Sequence, residues 1–296
     1  MHTTLLPFQV GDPVEHRGIV VAPLFPLRDP RARYLMLEAA LARGLSITET
    51  SEAGDVPELV VSNPLPHDVL LYDGAEVVGA KQNRILNVSV LVGAGSTTRI
   101  PVSCAEQGRW RSISTKFSSA PHITNTELRR RKAAALQARP LARGIAQDEV
   151  WETIRGHAER LGATSPTGAH RDLFLARERE LEALEPAFHA EPGQCGAVLA
   201  LGDALCLDAV SRPDAFAEIW PKLRRGYLLD ALDYLDRPAT RPKRLLGFVD
   251  EVADAQVVRG ASAGLGSDLR LKGPGVLGSG LEIEGETLQL SAYTAL

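Results

Sequence analysis

Short runs of alternating apolar and polar residues dominate the first 125 positions, and each run predicts a β-strand. A first strand is predicted over residues 17–24, and six more lie between residues 45 and 104. Turn sequences such as Asp73-Gly74 separate several of them, which is typical of antiparallel meanders or Greek keys. One helix is predicted in this part of the chain, over residues 31–43.

The pattern changes near residue 126. Helical spacing and propensity predict helices over residues 126–139, 147–161, 170–185 and 213–236, the last of them interrupted at Pro221. Residues 196–210 return to strand character, and strands and turns are predicted from Gly247 to the end.

This order of elements predicts an α+β protein. We expect antiparallel β-sandwich or barrel-like sheets built from both ends of the chain, with a central helical segment. We expect one compact domain over residues 1–296, with a β-rich part (1–125), a helical part (126–190) and a mixed part (194–296).

The composition is that of an ordinary globular protein and argues against several classes. Hydrophobic residues make up 44% of the 296 residues, and the net charge of −4 favours no general attraction to nucleic acid. The chain has no uncharged apolar run near the ~20 residues needed to cross a bilayer, and no signal-peptide pattern. Three widely spaced cysteines argue against a disulfide framework, so a cytoplasmic protein is expected.

Several local motifs carry little weight. Residues 273–278 match G-x-G-x-x-G, but the residues after them predict a hairpin, whereas a dinucleotide-binding loop requires a helix there. Neither C-x-x-C nor H-E-x-x-H is present, so no metal ligands are predicted, and the sequence leaves any cofactor unknown. Asp230, Asp233 and Asp236 are interpreted as a solvated acidic face.

A run of basic residues lies in the first central helix: Arg129, Arg130, Arg131 and Lys132, with Arg139 and Arg143 beyond. Such a patch could meet the phosphates of a nucleic acid. We favour a solvated helix face, because the chain is acidic overall and the run contains no aromatic residue for base stacking.

The stretch GAKQNRILNVSVL, residues 79–91, places a polar cluster directly before a predicted strand. Side chains alternate faces along a strand, and the even positions of this strand and of the next are the more apolar ones. This parity points Gln82 and Arg84 into the core, and Lys81 and Asn83 away from it.

Two hairpin registers fit this parity, because directly opposed residues share a face. One register pairs Arg84 with Glu106, and the other pairs Arg84 with Cys104. Either register gathers one inward-facing group at the end of the hairpin, which we name the polar mouth: Gln82, Arg84, Cys104 and Glu106. A bulge at Gly79 would bring Glu76 to the same side, and the turn after Glu106 could fold Arg109 and Trp110 over the mouth.

The polar mouth has a functional interpretation, a pocket in an enzyme or ligand-binding protein that acts on a phosphate-containing small molecule or nucleotide. The candidate catalytic residues are then Glu106 and Glu76, with Cys104 as a minor candidate for a reactive thiol. The candidate ligand-binding residues carry cationic, amide or aromatic side chains: Lys81, Gln82, Asn83, Arg84, Arg109 and Trp110.

It also has a structural interpretation. Arg84 and Glu106 can form an internal ion pair that has no catalytic role. The chain is then a β-sandwich module that binds a protein partner or assembles into a homo-oligomer, and a large apolar surface patch is expected. The residues by themselves leave both interpretations open.

The segments EVVGAKQNRILNVSVLV and IPVSCAEQGRW resemble the ARG and rhodanese-phosphatase-superfamily-associated (ARPP) proteins. The PLF near the N-terminus and the late GLGSDLRL segment resemble them more loosely. The resemblance spans most of the chain. It implies a prokaryotic cytoplasmic protein of conflict or immune systems, and an enzyme that touches nucleotides or nucleic acid, without naming a reaction.

Overall fold

The computed structural model describes residue 5 and residues 7–51, 57–138 and 147–295. The strands in this part of the chain are β1 (Phe8–Val10), β2 (Val14–His16), β3 (Ile19–Pro26), β4 (Leu35–Met36), β5 (Ser46–Glu49), β6 (Glu58–Asn63), β7 (Val69–Leu71), β8 (Ala75–Gly79), β9 (Arg84–Leu86), β10 (Val90–Val92), β11 (Ser96–Cys104), β12 (Phe117–Ile123), β13 (Gly196–Leu201), β14 (Ala204–Val210), β15 (Gln256–Ala261), β16 (Ser267–Lys272), β17 (Val276–Ile283) and β18 (Glu286–Thr294). The helices are α1 (Leu37–Leu41), α2 (Thr126–Ala138), α3 (Gln147–Leu161), α4 (Arg171–Ala176), α5 (Glu178–Leu184), α6 (Pro213–Ala231) and α7 (Pro242–Ala253), with a 3₁₀ turn at Glu185–Ala187.

Both ends of the chain build the largest sheet, as the sequence predicts. Its order is β1-β3-β13-β14-β18-β17-β16-β15, with β2 paired to β3, and all of its pairs are antiparallel. Both faces of its central strands are buried. Leu199 of β13 packs into the main core, whereas its neighbour Val198 packs into a second apolar cluster with Phe248 of α7. The α+β class is therefore confirmed.

Two smaller sheets come from the first 125 residues. The larger has the order β12-β8-β9-β11-β6-β5, and the smaller has the order β10-β7-β4, in which β4 and β7 run parallel. Helix α6 packs against β12 and also contacts β13 and β14. It therefore lies between the six-stranded sheet and the large sheet, and it carries Asp230, one of the site residues described below.

The predicted hairpin of residues 85–92 with residues 98–104 is wrong in one respect. Strand β9 pairs with β11 in the second of the two predicted registers, with Arg84 opposite Cys104. The continuation of the predicted strand, β10, leaves this sheet and pairs with β7. A single strand cannot follow both partners, so the chain bends between residues 86 and 90.

Several predicted helices differ in extent. Helix α6 runs through Pro221 without a break, because a continuous buried face that includes Phe216 and Leu223 outweighs the loss of one backbone hydrogen bond. Residues 170–185 form α4, α5 and the 3₁₀ turn rather than one helix, and residues 31–43 form only β4 and the short α1. Within the residues described, no helix is both long and apolar enough to span a membrane.

Helix α7 extends into the region from Gly247 onward that the sequence predicts as strand and turn. Leu245, Phe248 and Val252 recur at helical spacing and are buried. The predicted strand-and-turn region begins at Gly247, but this residue lies inside the helix. Tertiary packing of the apolar face therefore overrides the weak helix propensity of one glycine.

Candidate functional site

Arg84 of the polar mouth is fully buried. Its guanidinium donates to Gln82 Oε1 (3.0 Å) and to Cys104 Sγ, and its other terminal nitrogen lies 3.6 Å from Glu49 Oε2. The counter-charge therefore comes from Glu49 of β5, and the expected ion pair between Arg84 and Glu106 is absent among the described residues. Burial raises the pKa of the Cys104 thiol to about 11, so this side chain is a poor nucleophile.

Glu106 is buried nearby, at 5% exposure, and its carboxylate is saturated with donors. Oε2 accepts Arg109 Nε (2.8 Å), and Oε1 accepts the hydroxyl of Thr167 (2.8 Å). Residue 106 also forms an isolated antiparallel bridge with Ala169. Glu106 thus clamps the segment 167–169 against the end of β11, which is the behaviour of a structural carboxylate.

The turn after Glu106 folds over the mouth. The Arg109 guanidinium contacts Asn83 Oδ1 at 3.0 Å, and the Trp110 ring lies 5.6 Å from both the Arg84 guanidinium carbon and the Lys81 ammonium. Asn83 is buried rather than directed away from the core, because β9 and the residues before it are covered on both faces. The indole of Trp110 is half exposed, so it forms the outer cover of a closed polar group.

Glu76 lies on the opposite face of the sheet from Arg84. Strands β8 and β9 pair Glu76 with Ile85 and Val77 with Arg84, and neighbouring positions of a strand point to opposite faces. The bulge that would bring Glu76 to the polar mouth does not occur between these pairs. The two candidate catalytic carboxylates, Glu76 and Glu106, therefore belong to separate groups.

Glu76 instead meets two histidines that are far away in sequence. Its Oε2 atom lies 2.9 Å from His122 Nε2 and 2.8 Å from His170 Nδ1. All three side chains are at most 2% exposed. Burial by itself raises the pKa of Glu76, but the contacts with His122 and His170 outweigh it and hold the pKa at about 2. Burial lowers the pKa of His122.

Asn125 connects this group to a second polar group. Its Oδ1 atom lies 3.1 Å from His170 Nε2, and its Nδ2 atom donates to Asp230 Oδ1 at 2.7 Å. His157 Nδ1 lies 3.2 Å from Asn125 Nδ2, and Asp230 Oδ2 accepts the backbone N–H of Glu127 at 2.9 Å. A continuous line of buried polar contacts therefore runs from Glu76 to Asp230.

Asp230 was predicted to belong to a solvated acidic face, but it is buried to 7% exposure. Its environment has two opposed effects. Burial raises its pKa, and His157, Asn125 and the Glu127 amide favour the charged form. Burial also lowers the pKa of His157. Asp230 is the one member of the acidic series that lies within α6, and its side chain is buried because this helix packs against α2 and against both neighbouring sheets.

Asp230 lies at the wall of the cleft that we name the arginine cleft, with a volume of about 530 Å³. Its polar lining includes Arg130 of α2, Arg160 of α3 and Arg237 after α6. Its apolar floor is formed by Leu199, Leu201 and Leu205 of β13 and β14. An adjoining cavity of about 790 Å³ shares Arg130, Tyr234 and Arg237 and adds Arg244.

Only part of the basic run can reach this cleft. Arg129 and Lys132 are buried, which contradicts the predicted solvated face. Arg129 pairs with Asp208, and Lys132 Nζ donates to Asp73 Oδ1 at 2.8 Å. Arg130 faces the cleft and Arg131 pairs with Glu127, while Arg139 and Arg143 lie outside the described residues.

Four residues of these groups were not predicted as site residues: His122, His170, His157 and Asn125. One signal was present, because Pro121 precedes His122 inside a strand and a proline there indicates a bulge. The register of β12 on β8 does shift between Ser119 and Ile123. No local pattern indicated that Glu76 would meet this bulge, since the contact depends on how three distant segments pack.

Comparison with known proteins finds no match among curated proteins or solved structures. A family model does match. The model of the ARG and Rhodanese-Phosphatase-superfamily-associated Protein domain covers residues 7–293, which include every residue of the groups described above. The chain therefore belongs to the ARG and Rhodanese-Phosphatase-superfamily-associated Protein family.

Proposed function

We propose that this protein binds a small phosphate-containing molecule of mononucleotide size in the arginine cleft. The observation that carries the proposal is a cavity of about 530 Å³ whose walls hold two arginines without a carboxylate partner among the described residues and whose floor is apolar. Cavities of roughly 300–1,000 Å³ are the usual size for small-molecule sites.

The arginines of the cleft are not equivalent. Arg160 is already paired with Glu127 and Asp233, at 2.5 and 3.0 Å. Among the described residues, Arg130 and Arg237 have no carboxylate partner. A guanidinium that is not neutralised by the protein can bind a phosphate through two parallel hydrogen bonds. Arg130 and Arg237 are therefore the proposed phosphate ligands.

The remaining lining favours a neutral or aromatic group beside the phosphate. Tyr234 presents its ring next to Arg237, whose guanidinium lies 4.8 Å from the ring centroid. Leu199 and Leu205 supply an apolar floor. Glu127, Asp230 and Asp233 balance the formal charge of the three arginines that line the cleft, which favours one phosphate group over a polyanion such as nucleic acid.

Binding is the form of the function that the geometry supports best. Asp230 has a raised pKa at the cleft wall, as a general acid or base requires. However, its two oxygens accept hydrogen bonds from Asn125 and from the Glu127 amide, and these bonds hold it in place. We therefore propose binding rather than catalysis, and hydrolysis of a phosphate ester can be measured on the same protein samples as a second assay.

The test compares inorganic phosphate, adenosine and AMP by thermal shift and calorimetry. A ligand at 100 times its Kd stabilises a protein by about 2.7 kcal/mol, which at about 2 °C per kcal/mol raises the Tm by about 5 °C. We expect AMP to bind more tightly than phosphate, because it also covers the apolar floor, and adenosine to bind most weakly.

The matched variants separate the cleft from general charge effects. The double variant Arg130→Gln/Arg237→Gln should lose the response to AMP, whereas Arg179→Gln, on the exposed side of α5, should keep it. An unchanged AMP response in the double variant would contradict the proposal, as would equal responses to adenosine and AMP.

Self-association is a second candidate function, and one observation favours it. Strand β15 forms one edge of the large sheet and pairs with β16 alone among the described strands. None of its residues is buried, and Val258 is 53% exposed. Open edges can pair with a second chain. Light scattering should then show a dimer that Val258→Lys dissociates, and a monomeric wild type would exclude this candidate.

A further inference from the structure

Glu76, His122 and His170 form a compact set of three donor groups, which we name the histidine–carboxylate group. The potential ligand atoms of the three residues all lie within 4.8 Å of one another. They come from three different segments: β8, β12 and the residue directly before α4. None of the three residues lines the arginine cleft, so the group is a site separate from the proposed binding function.

The hydrogen bonds within the group leave some of its nitrogen and oxygen atoms without a suitable donor. Asn125 uses its amide N–H₂ on Asp230, so its carbonyl oxygen faces His170 Nε2, which must therefore carry a hydrogen. In a neutral ring this leaves a lone pair on His170 Nδ1, 2.8 Å from the Glu76 carboxylate. Two electron-rich atoms at that distance require a cation between them or a second proton on the ring.

The rest of the group is also under-satisfied. Glu76 Oε1 and His122 Nδ1 are buried and have no hydrogen-bond partner among the described residues. In that same part of the chain, no arginine or lysine forms an ion pair with Glu76. A buried carboxylate without a strong cationic partner is costly, and a bound metal ion is one way in which proteins compensate it.

The surrounding structure holds the two rings as a metal site requires. The Asn125 carbonyl fixes the orientation of His170 through the nitrogen that does not face Glu76, which is the usual support of a metal-binding histidine. The ring of Phe174 stacks on His122 at 3.7 Å with an interplanar angle of 11°. The bulge in β12 directs His122 to the group, and His170 is anchored by its backbone N–H to Ala105 O at 2.8 Å.

We propose that Glu76, His122 and His170 bind one divalent transition-metal ion. Two imidazoles and one carboxylate suit Zn²⁺, Fe²⁺ or Co²⁺, whereas Mg²⁺ and Ca²⁺ prefer sites built from oxygen alone. Three protein ligands leave at least one coordination position for water or a small ligand. Glu106, which clamps the segment before His170 through Thr167, then acts as a positioning residue for the site.

The experiment measures the metal directly. The full chain is purified without added chelator, and its metal content is determined by mass spectrometry. We expect about one transition-metal ion per chain. The chain is then stripped with a chelator and titrated with Co²⁺, whose visible absorption reports nitrogen and oxygen coordination. We expect saturation near one equivalent and a higher Tm for the loaded chain than for the stripped chain.

Variants identify the ligands. His170→Gln and Glu76→Gln should lose the Co²⁺ absorption, whereas His67→Gln, which alters an exposed histidine, should retain it. The circular-dichroism spectrum of each variant reports whether it is folded. If the buried variants do not fold, the wild-type titration decides the question by itself.

Two results would overturn the proposal. The first is a folded wild-type chain that yields no Co²⁺ absorption and no metal-dependent change in Tm. This result would indicate that protons, rather than a metal ion, connect the residues of the histidine–carboxylate group. The second is equal loss of the absorption in His67→Gln and in His170→Gln, which indicates adventitious binding at surface histidines.

Discussion

Substitution of Asp208 by asparagine should strongly destabilise the fold, because Asp208 neutralises Arg129, a buried cation of α2. Asp208 lies on β14 and is fully buried, as is its partner Arg129. Its two oxygens also accept the hydroxyls of Tyr72 (2.7 Å) and Tyr227 (2.8 Å). The carboxylate thereby joins α2 and α6 to the large sheet.

The expected magnitude follows from the charge that remains. Asparagine preserves the shape of aspartate but leaves the Arg129 guanidinium buried without a counter-ion. Breaking one partner of a buried ion pair costs about 3–5 kcal/mol. At about 2 °C per kcal/mol, the Tm should fall by roughly 6–10 °C. Glu58→Gln is the control, because the exposed pair of Glu58 and Arg99 is worth at most about 1 kcal/mol.

The assay is thermal unfolding followed by circular dichroism, with three variants beside the wild type: Asp208→Asn, the double variant Asp208→Asn/Arg129→Met, and Glu58→Gln. The double variant should recover part of the loss, since it removes the unpaired charge. Equal Tm shifts for Asp208→Asn and Glu58→Gln would refute the reasoning, because they would mean that the buried charge costs nothing.

The effect should also depend on pH. Burial by itself raises the pKa of Asp208, but Arg129 and the hydroxyl donors outweigh it, so the pKa lies below its ordinary value. A carboxyl with a lowered pKa in the folded state stabilises the fold above its unfolded pKa of about 3.9. The difference between wild type and Asp208→Asn should therefore be full at neutral pH and shrink as the pH falls below about 4.

Three further predictions concern thiols, backbone contacts and the clamp. Three thiols are buried: Cys104, Cys195 and Cys206. A chromogenic disulfide should therefore react with them only after unfolding, and rapid reaction of the folded chain would contradict the described packing. Gly226→Ala should destabilise the fold by about 1–3 kcal/mol, because a Cβ there would lie 2.6 Å from Ile123 O. Gly247→Ala, on the open surface of α7, should stabilise it by up to about 1 kcal/mol. Urea unfolding checks this pair, because the two changes in the free energy of unfolding should have opposite signs. Thr167→Val removes the donor to Glu106 and should cost about 1–3 kcal/mol, with faster amide hydrogen exchange at residues 168–170; unchanged exchange there would exclude the clamp.

Much of the fold was predictable from local patterns. Alternating apolar residues predicted most of the strands, and the late strands were expected to complete sheets begun by the early ones, as the pairing of β13 with β3 confirms. The alternation of faces along the strands also allowed two registers, and one of them is the observed pairing of Arg84 with Cys104. These features depend on periods of two or 3.6 residues, which a sequence displays directly.

The composition of the buried polar groups could not be predicted in the same way. Parity assumes one covered face, so it placed Asn83 outside, whereas both faces of that segment are covered. The contacts of Glu76 with His122 and His170 span 46 and 94 residues, and they depend on a bulge and on the segment clamped by Glu106. The periodicity of each segment determined which of its residues could lie inside. Only the packing of the sheets and α6 decided which buried charges meet, because the partner of a buried charge is chosen by distance in space and not by separation along the chain.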